Sequence, residues 1–268
     1  MNNYPIGILD SGVGGLTVLQ TVLCALPQEC IMYIGDSKNT PYGAKSPDEI
    51  YYLSKKLVEF LLQKEVKLIV IACNTISVTC LDMLRSDYPQ IPIIATVPVI
   101  KTAVEVSKSK RIGILSTTRT AQSDYQKELI ETIANGCIVF NYGTDSLVPL
   151  IEQGKIESTE MTTNLQKILV QFQKENIDAL VLGCTHFPFL EKQMQAILGH
   201  KVQLLNSGGA IAQQLKRVLE HNGILSLQKD GSVSIYTTGN VNIAKNLAQR
   251  TIEGQRLAVH KILLNNEN

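Results

Sequence analysis

Apolar residues in this chain gather in short runs set between longer stretches of helical spacing. The runs are "IGIL" (6–9), "IMYI" (31–34), "KLIVIA" (67–72), "IPIIA" (91–95), "RIGIL" (111–115), "CIVF" (137–140), "ALVL" (179–182), "VQLL" (202–205) and "VSIY" (233–236). All have strand length, and their near-continuous apolar character predicts strands covered on both faces. Between them, "DEIYYLSKKLVEFLLQKE" places Ile50, Leu53, Leu57 and Leu61 on one helical face, with lysines and glutamates opposite. "AQSDYQKELIETIA" and "MTTNLQKILVQFQKE" repeat that spacing.

Alternating strands and helices predict an α/β protein with mainly parallel sheets. A loose internal repeat adds detail: strand, cysteine, polar pair, helix occurs at "IVIACNT" and again at "LVLGCTH". The economical reading is two pseudo-symmetric open α/β domains facing each other. Each domain offers one cysteine from the carboxyl end of a strand, where ligands bind in open α/β sheets. Residues 1–97 and 208–268 would form the first domain, carrying Cys73, and residues 98–207 the second, carrying Cys184. The terminal helical stretch would return to the first domain.

Composition excludes more than it suggests. The chain has 268 residues, 44% hydrophobic and 18% charged, with 25 basic against 24 acidic side chains. That balance builds no general field for nucleic acid or an anionic membrane. No apolar run nears the roughly 18 residues that span a bilayer. The N-terminus lacks the basic and apolar regions of a secretory signal. A cytoplasmic protein is expected.

The loop "ILDSGVGGLT" follows the first strand. Counted from Gly12, the sixth position of a dinucleotide fingerprint is Thr17, so that pattern fails, and no Walker A lysine motif is present. The glycines suit a tight turn into a helix N-terminus, where N–H groups attract a carboxylate. Asp10 and Ser11 stand at its lip, as site residues or as helix caps. "YIGDSKNTPYG" follows the second strand. There Asp36 ends a strand, and the turn holding Tyr42 and Gly43 either binds a small acid or is structural.

Six cysteines contain no C-x-x-C pair and no zinc spacing. Cys24, Cys30, Cys80 and Cys137 read as small buried hydrophobes. Cys73 and Cys184 differ, because each ends a strand and precedes polar residues that would open a helix, Asn74-Thr75 and Thr185-His186. Thiolate, not thiol, takes protons, and a cysteine with an ordinary pKa is only roughly 3% thiolate at neutral pH. Such cysteines need a positive environment or a base, which a helix N-terminus supplies in part. Two cysteines on opposite faces of a substrate carbon, each roughly 3–3.5 Å from the reacting atoms, would exchange protons on both faces and invert a stereocentre.

Together, "ILDSGVGGLTVL", "YIGDSKNTPYG", "IACNT" and "LVLGCTHFPFL" closely resemble the cofactor-independent glutamate racemases of the aspartate/glutamate racemase superfamily, in order and over nearly the whole chain. The resemblance implies two open α/β domains with the active site in the cleft between them, and interconversion of L- and D-glutamate without cofactor or metal, supplying D-glutamate for peptidoglycan synthesis. Cys73 would take the α-proton from D-glutamate and Cys184 from L-glutamate. Asp10 and His186 would assist the respective thiols, with Glu152 and Asp36 as further catalytic residues. Substrate would be bound by Asp10, Ser11, Tyr42, Gly43, Asn74, Thr75, Thr117, Thr120, Thr185 and His186. A homodimer is the family's usual state. Val97, Arg119, Thr144 and Asn206 depart from residues common at those positions, and the short N-terminal segment argues against regulation through an N-terminal extension.

Other readings fit parts of the pattern. An aspartate racemase differs by one methylene of substrate, worth only roughly 1–3 kcal/mol of discrimination. A carboxylate-binding module would bind without α-proton exchange. A thiol–disulfide protein would form a reversible Cys73–Cys184 bond, and the missing C-x-x-C disfavours it.

Overall fold

The computed structural model describes residues 3–252 and 257–264. The chain begins β1 (Ile6–Asp10), α1 (Leu16–Ala25), β2 (Ile31–Gly35), α2 (Pro47–Gln63), β3 (Leu68–Ile71), α3 (Asn74–Asp87), β4 (Ile93–Ala95). It continues α4 (Ile100–Val106), β5 (Arg111–Ser116), α5 (Thr118–Gln122), α6 (Asp124–Ile133), β6 (Ile138–Gly143), α7 (Leu147–Glu152), α8 (Thr159–Lys174), β7 (Ala179–Gly183), α9 (Glu191–Leu198), β8 (Gln203–Leu205). It closes with α10 (Gly208–His221), β9 (Val233–Thr237), α11 (Val241–Thr251) and β10 (Ala258–Lys261).

The strands form two sheets, β10-β9-β2-β1-β3-β4 and β6-β5-β7-β8, in which every pairing is parallel. The expected α/β class is therefore met. Side-chain alternation along each strand explains how the layers assemble. Ile6, Ile8, Leu68 and Val70 point to one core, and Leu9, Ile69 and Ile71 point to another, under α2 and α3. In the second sheet, Leu180 and Leu182 join the first core, while Ile112, Ile114, Ala179 and Val181 face α4 and α6. The largest core thus runs between the sheets and joins them.

Two segments depart from the sequence reading. The terminal stretch after α11 adds the parallel edge strand β10 beside β9. Its four residues are mostly exposed, so they carry no apolar run to mark a strand. In α2, Leu53 is only half-buried, and Ser54 takes a fully buried place by donating to the Ile50 carbonyl at 2.6 Å. The helix starts where its chemistry says it should: Ser46 and Glu49 form a reciprocal capping box, followed by Pro47.

The chain crosses between the sheets twice, after β4 and after β8. Those crossings meet, since the Thr96 hydroxyl donates to the Ser207 hydroxyl at 2.6 Å and both residues are buried.

Candidate active site

Asp10 ends β1 and Cys73 lies just beyond β3, its parallel neighbour. The pairing continues past the strands, as the Ala72 N–H donates to the Leu9 carbonyl at 2.9 Å. Ser11 and Cys73 consequently emerge side by side, with hydroxyl and sulfur 3.4 Å apart. In the other sheet, β5 and β7 pair in parallel, so Thr117 and Cys184 leave adjacent strand ends. The two carboxyl edges face each other. Thr75 Oγ1 lies 3.0 Å from Thr117 Oγ1 and 3.4 Å from Thr120 Oγ1, and Thr185 Oγ1 donates to Asp10 Oδ2 at 3.0 Å.

Ten of the residues singled out from the sequence line one cavity: Ser11, Tyr42, Gly43, Cys73, Asn74, Thr75, Thr117, Cys184, Thr185 and His186. Pro41 and Val148 complete its wall, and no sequence signal marks either for that place. The cavity measures about 10 Å³, room for no more than one water. Both Asn74 side-chain atoms, Nδ2 and Oδ1, are buried without a hydrogen-bond partner among the described residues. A buried amide left unpaired is costly, and a polar ligand would satisfy it.

Asp10, Glu152, Asp36 and Thr120 stand behind this wall. Asp36 is fully buried and accepts from the Tyr42 hydroxyl at 2.7 Å and from Thr238 Oγ1 at 2.6 Å. The Tyr42 hydroxyl is therefore engaged by Asp36, and burial followed by the Asp36 charge holds its pKa well above the ordinary value. What Tyr42 offers the cavity is its ring and backbone.

Glu152, at the end of α7, links both halves. Its Oε1 lies 2.6 Å from His186 Nε2 and accepts from the Val13 N–H at 2.7 Å. On the other side of the ring, His186 Nδ1 is 3.8 Å from Cys184 Sγ. The glycine turn makes this approach possible. A Cβ on Gly12 would fall 1.8 Å from Glu152 Oε1, and one on Gly14 would fall 2.4 Å from His186 Nδ1. The turn's N–H groups do bind carboxylates, as expected, but they are the protein's own: Gly12 N–H donates to Asp10 Oδ1 at 2.9 Å, and Val13 to Glu152. Neither Asp10 nor Ser11 caps α1, whose N-cap is Gly15.

The two cysteines differ in surroundings. Cys73 is the N-cap of α3, yet burial and then the Asp10 charge push its thiol up to about 12. Asp10 is itself raised to about 6, mainly by burial, with the His186 charge opposing. Burial pulls His186 down, but its contacts to Cys184 and Glu152 outweigh that and raise it well above the ordinary imidazole value. An imidazolium thus stands beside Cys184, while Cys73 has a hydroxyl and a carboxyl. The expected helix N-terminus after Cys184 is replaced by a bend and a 3₁₀ turn at Phe187–Leu190.

Of the other cysteines, only Cys80 is buried; Cys24 is exposed and Cys30 and Cys137 are intermediate. The buried-hydrophobe reading is corrected for those three. Cys30 occupies a polar site, accepting from Ser232 Oγ at 3.3 Å. Among the described residues no group of three or more His, Cys, Asp or Glu could hold a metal ion, and no helix is long and apolar enough to cross a membrane.

Comparison with known proteins agrees with this architecture. The profile of the Asp/Glu/hydantoin racemase family matches residues 11–215. Glutamate racemase from Clostridium novyi is 40% identical over 239 residues, 89% of this chain and 92% of that protein. The crystal structure of glutamate racemase isoform RacE1 from Bacillus anthracis superposes with a TM-score of 0.86 at 33% identity, covering 98% of this chain and 99% of that one. A glutamate racemase from Francisella tularensis, in complex with D-glutamate, gives 0.85 at 30% identity, with 99% of each chain covered.

Proposed function

The chain belongs to the Asp/Glu/hydantoin racemase family, and we propose that it is a glutamate racemase working by proton transfer between two cysteines. The observation that carries this reading is the pair of buried cysteines, Cys73 and Cys184, lining one cavity from opposite sheets. An α-proton leaves one face of the substrate carbon and another arrives on the opposite face. Two pseudo-symmetric strand ends suit a reaction whose substrate and product are mirror images.

The asymmetry of the surroundings assigns the resting state. With its thiol raised to about 12, Cys73 carries a proton at neutral pH and is the donor. Cys184 works with the His186 imidazolium, which Glu152 holds in place. In the L-to-D direction Cys184 takes the α-proton and Cys73 delivers its own to the other face. Cys73 is then a thiolate beside Asp10, whose pKa of about 6 lets it exchange protons in the working range. The reverse direction uses the same path backwards.

Negative charge develops on the substrate as the α-proton leaves, and preorganised donors stabilise it. Asn74, Thr75, Thr117 and Thr185 supply such groups around the cavity. A cavity of about 10 Å³ admits no amino acid, so substrate enters by parting the two sheets, with the Thr75–Thr117 contact released and the Thr96–Ser207 crossings as the pivot. The division at residues 97/98 and 207/208 belongs to this proposal. So does the supply of D-glutamate to peptidoglycan synthesis.

The test is incubation with D-glutamate in D2O, following the α-proton by NMR and the optical signal by circular dichroism. Deuterium entering the α-position as the signal decays to zero supports the reading. Exchange with aspartate instead would change the substrate, and no exchange with either would leave a binding protein.

A further inference from the structure

Beyond the cysteine cavity, at the outer end of the same cleft, lies a larger one of about 590 Å³. Gly43, Pro47 and Thr79 line it from the first sheet's side, and Thr118, Arg119 and Asp145 from the second's. The two cavities meet at Gly43, which lines both, and across the Thr117–Thr118 peptide, with Thr117 facing one and Thr118 the other. Gly43 is a narrow sill between them. A Cβ there would come within 2.6 Å of Asp145 Oδ1 and 3.0 Å of Thr117 Cβ.

Arg119 stands out among these residues. Its Nε is buried and has no hydrogen-bond partner among the described residues. No carboxylate of a described residue pairs with its guanidinium, whereas Arg111 holds Glu175 at 3.2 Å and Arg250 pairs with Glu157. Guanidinium donors form a planar fork that matches a carboxylate. Asp145, on the same side of the cavity, accepts from the Thr118 N–H at 3.2 Å and forms no ion pair with Arg119. One cation and one anion facing a shared space complement a zwitterion, with a carboxylate toward Arg119 and an ammonium toward Asp145.

The structure assigns this outer cavity as an entrance subsite for an acidic amino acid, in which Arg119 captures a substrate carboxylate before the molecule passes Gly43 to the cysteines. The assignment rests on the racemase reading for the identity of the ligand. Arg119 acts on capture and not on the proton transfers, because it does not line the cysteine cavity.

The experiment measures D-glutamate racemisation by circular dichroism for the natural protein, Arg119→Gln and Arg119→Lys, at low and at physiological ionic strength. Expected for Arg119→Gln is a fall in kcat/KM of about tenfold, carried by KM, and a flatter dependence on salt. Arg119→Lys should recover most of the salt dependence, since it keeps the charge. An unchanged KM and salt dependence in Arg119→Gln, or a loss confined to kcat, would overturn the subsite while leaving the racemase reading intact. If the natural protein racemises nothing, calorimetric titration with L-glutamate decides instead. Weaker binding to Arg119→Gln than to the natural protein supports the subsite, and equal binding overturns it.

Discussion

His186 Nε2 lies 2.6 Å from Glu152 Oε1, and the same oxygen accepts the Val13 N–H from the opposite half of the molecule. One carboxylate therefore orients the imidazole beside Cys184 and ties that imidazole to the glycine turn beside Cys73. The contact couples the surroundings of the two cysteines through a single carboxylate.

The cysteines should separate in isotope exchange and not in racemisation. L- and D-glutamate have equal free energy, so kcat/KM for the two directions must fall together in any variant. In Cys73→Ser, L-glutamate should still gain α-deuterium in D2O through Cys184, without inversion, while D-glutamate should not. Cys184→Ser should show the reverse. NMR of each enantiomer decides, and equal loss of exchange from both would remove the face-specific roles.

Glu152→Gln keeps the shape but removes the charge that raises His186. General acid–base groups of this kind contribute about 10²–10⁴-fold, and a group acting through His186 should cost toward the lower end of that range. Exchange from L-glutamate should fall more than exchange from D-glutamate. The imidazole pKa, read by NMR of His186 over pH, should drop in the same variant.

Gly14→Ala tests the steric argument. The added Cβ would lie 2.4 Å from His186 Nδ1 and 2.5 Å from Thr185 Oγ1. Both are buried, so neither side chain can swing out to solvent. Activity should be lost, with destabilisation of about 1–3 kcal/mol from overpacking, measured by urea unfolding.

Asp10 makes stability depend on pH. Its folded-state pKa of about 6 lies above the ordinary value of 3.8, so between those pH values the folded chain binds more protons than the unfolded one. Stability contributed by Asp10 is then greatest below about pH 4 and declines as pH rises toward about 6. Asp10→Asn removes this term. Relative to the natural protein it should gain up to about 3 kcal/mol above pH 6 and little below pH 4, by chemical denaturation across that range.

The local pattern of the chain was sufficient for the fold class, for most strands, and for the place of Cys73 and Cys184 at strand ends. Those features depend on apolar runs and helical spacing, which act over a few residues. β10 escaped because an edge strand with mostly exposed side chains has no apolar signature. The depth of Leu53 and Ser54 in α2 escaped because it depends on what packs above the helix.

Within the site, residue types at strand ends marked most of what lines the cavity, together with Asp10 and Asp36 behind it, and the resemblance to a family added Glu152, Thr117 and Thr120. Their rank was beyond reach of the sequence. Only the tertiary structure decided that Asp36 stands behind Tyr42, that Glu152 bridges His186 and Val13, and that Arg119 Nε is buried without a partner among the described residues. Neither could the sequence tell that Cys73 meets burial and a carboxyl while Cys184 meets an imidazolium. Charge, burial and hydrogen bonding act through space between residues distant in the chain, and only the packing of the two sheets sets those distances.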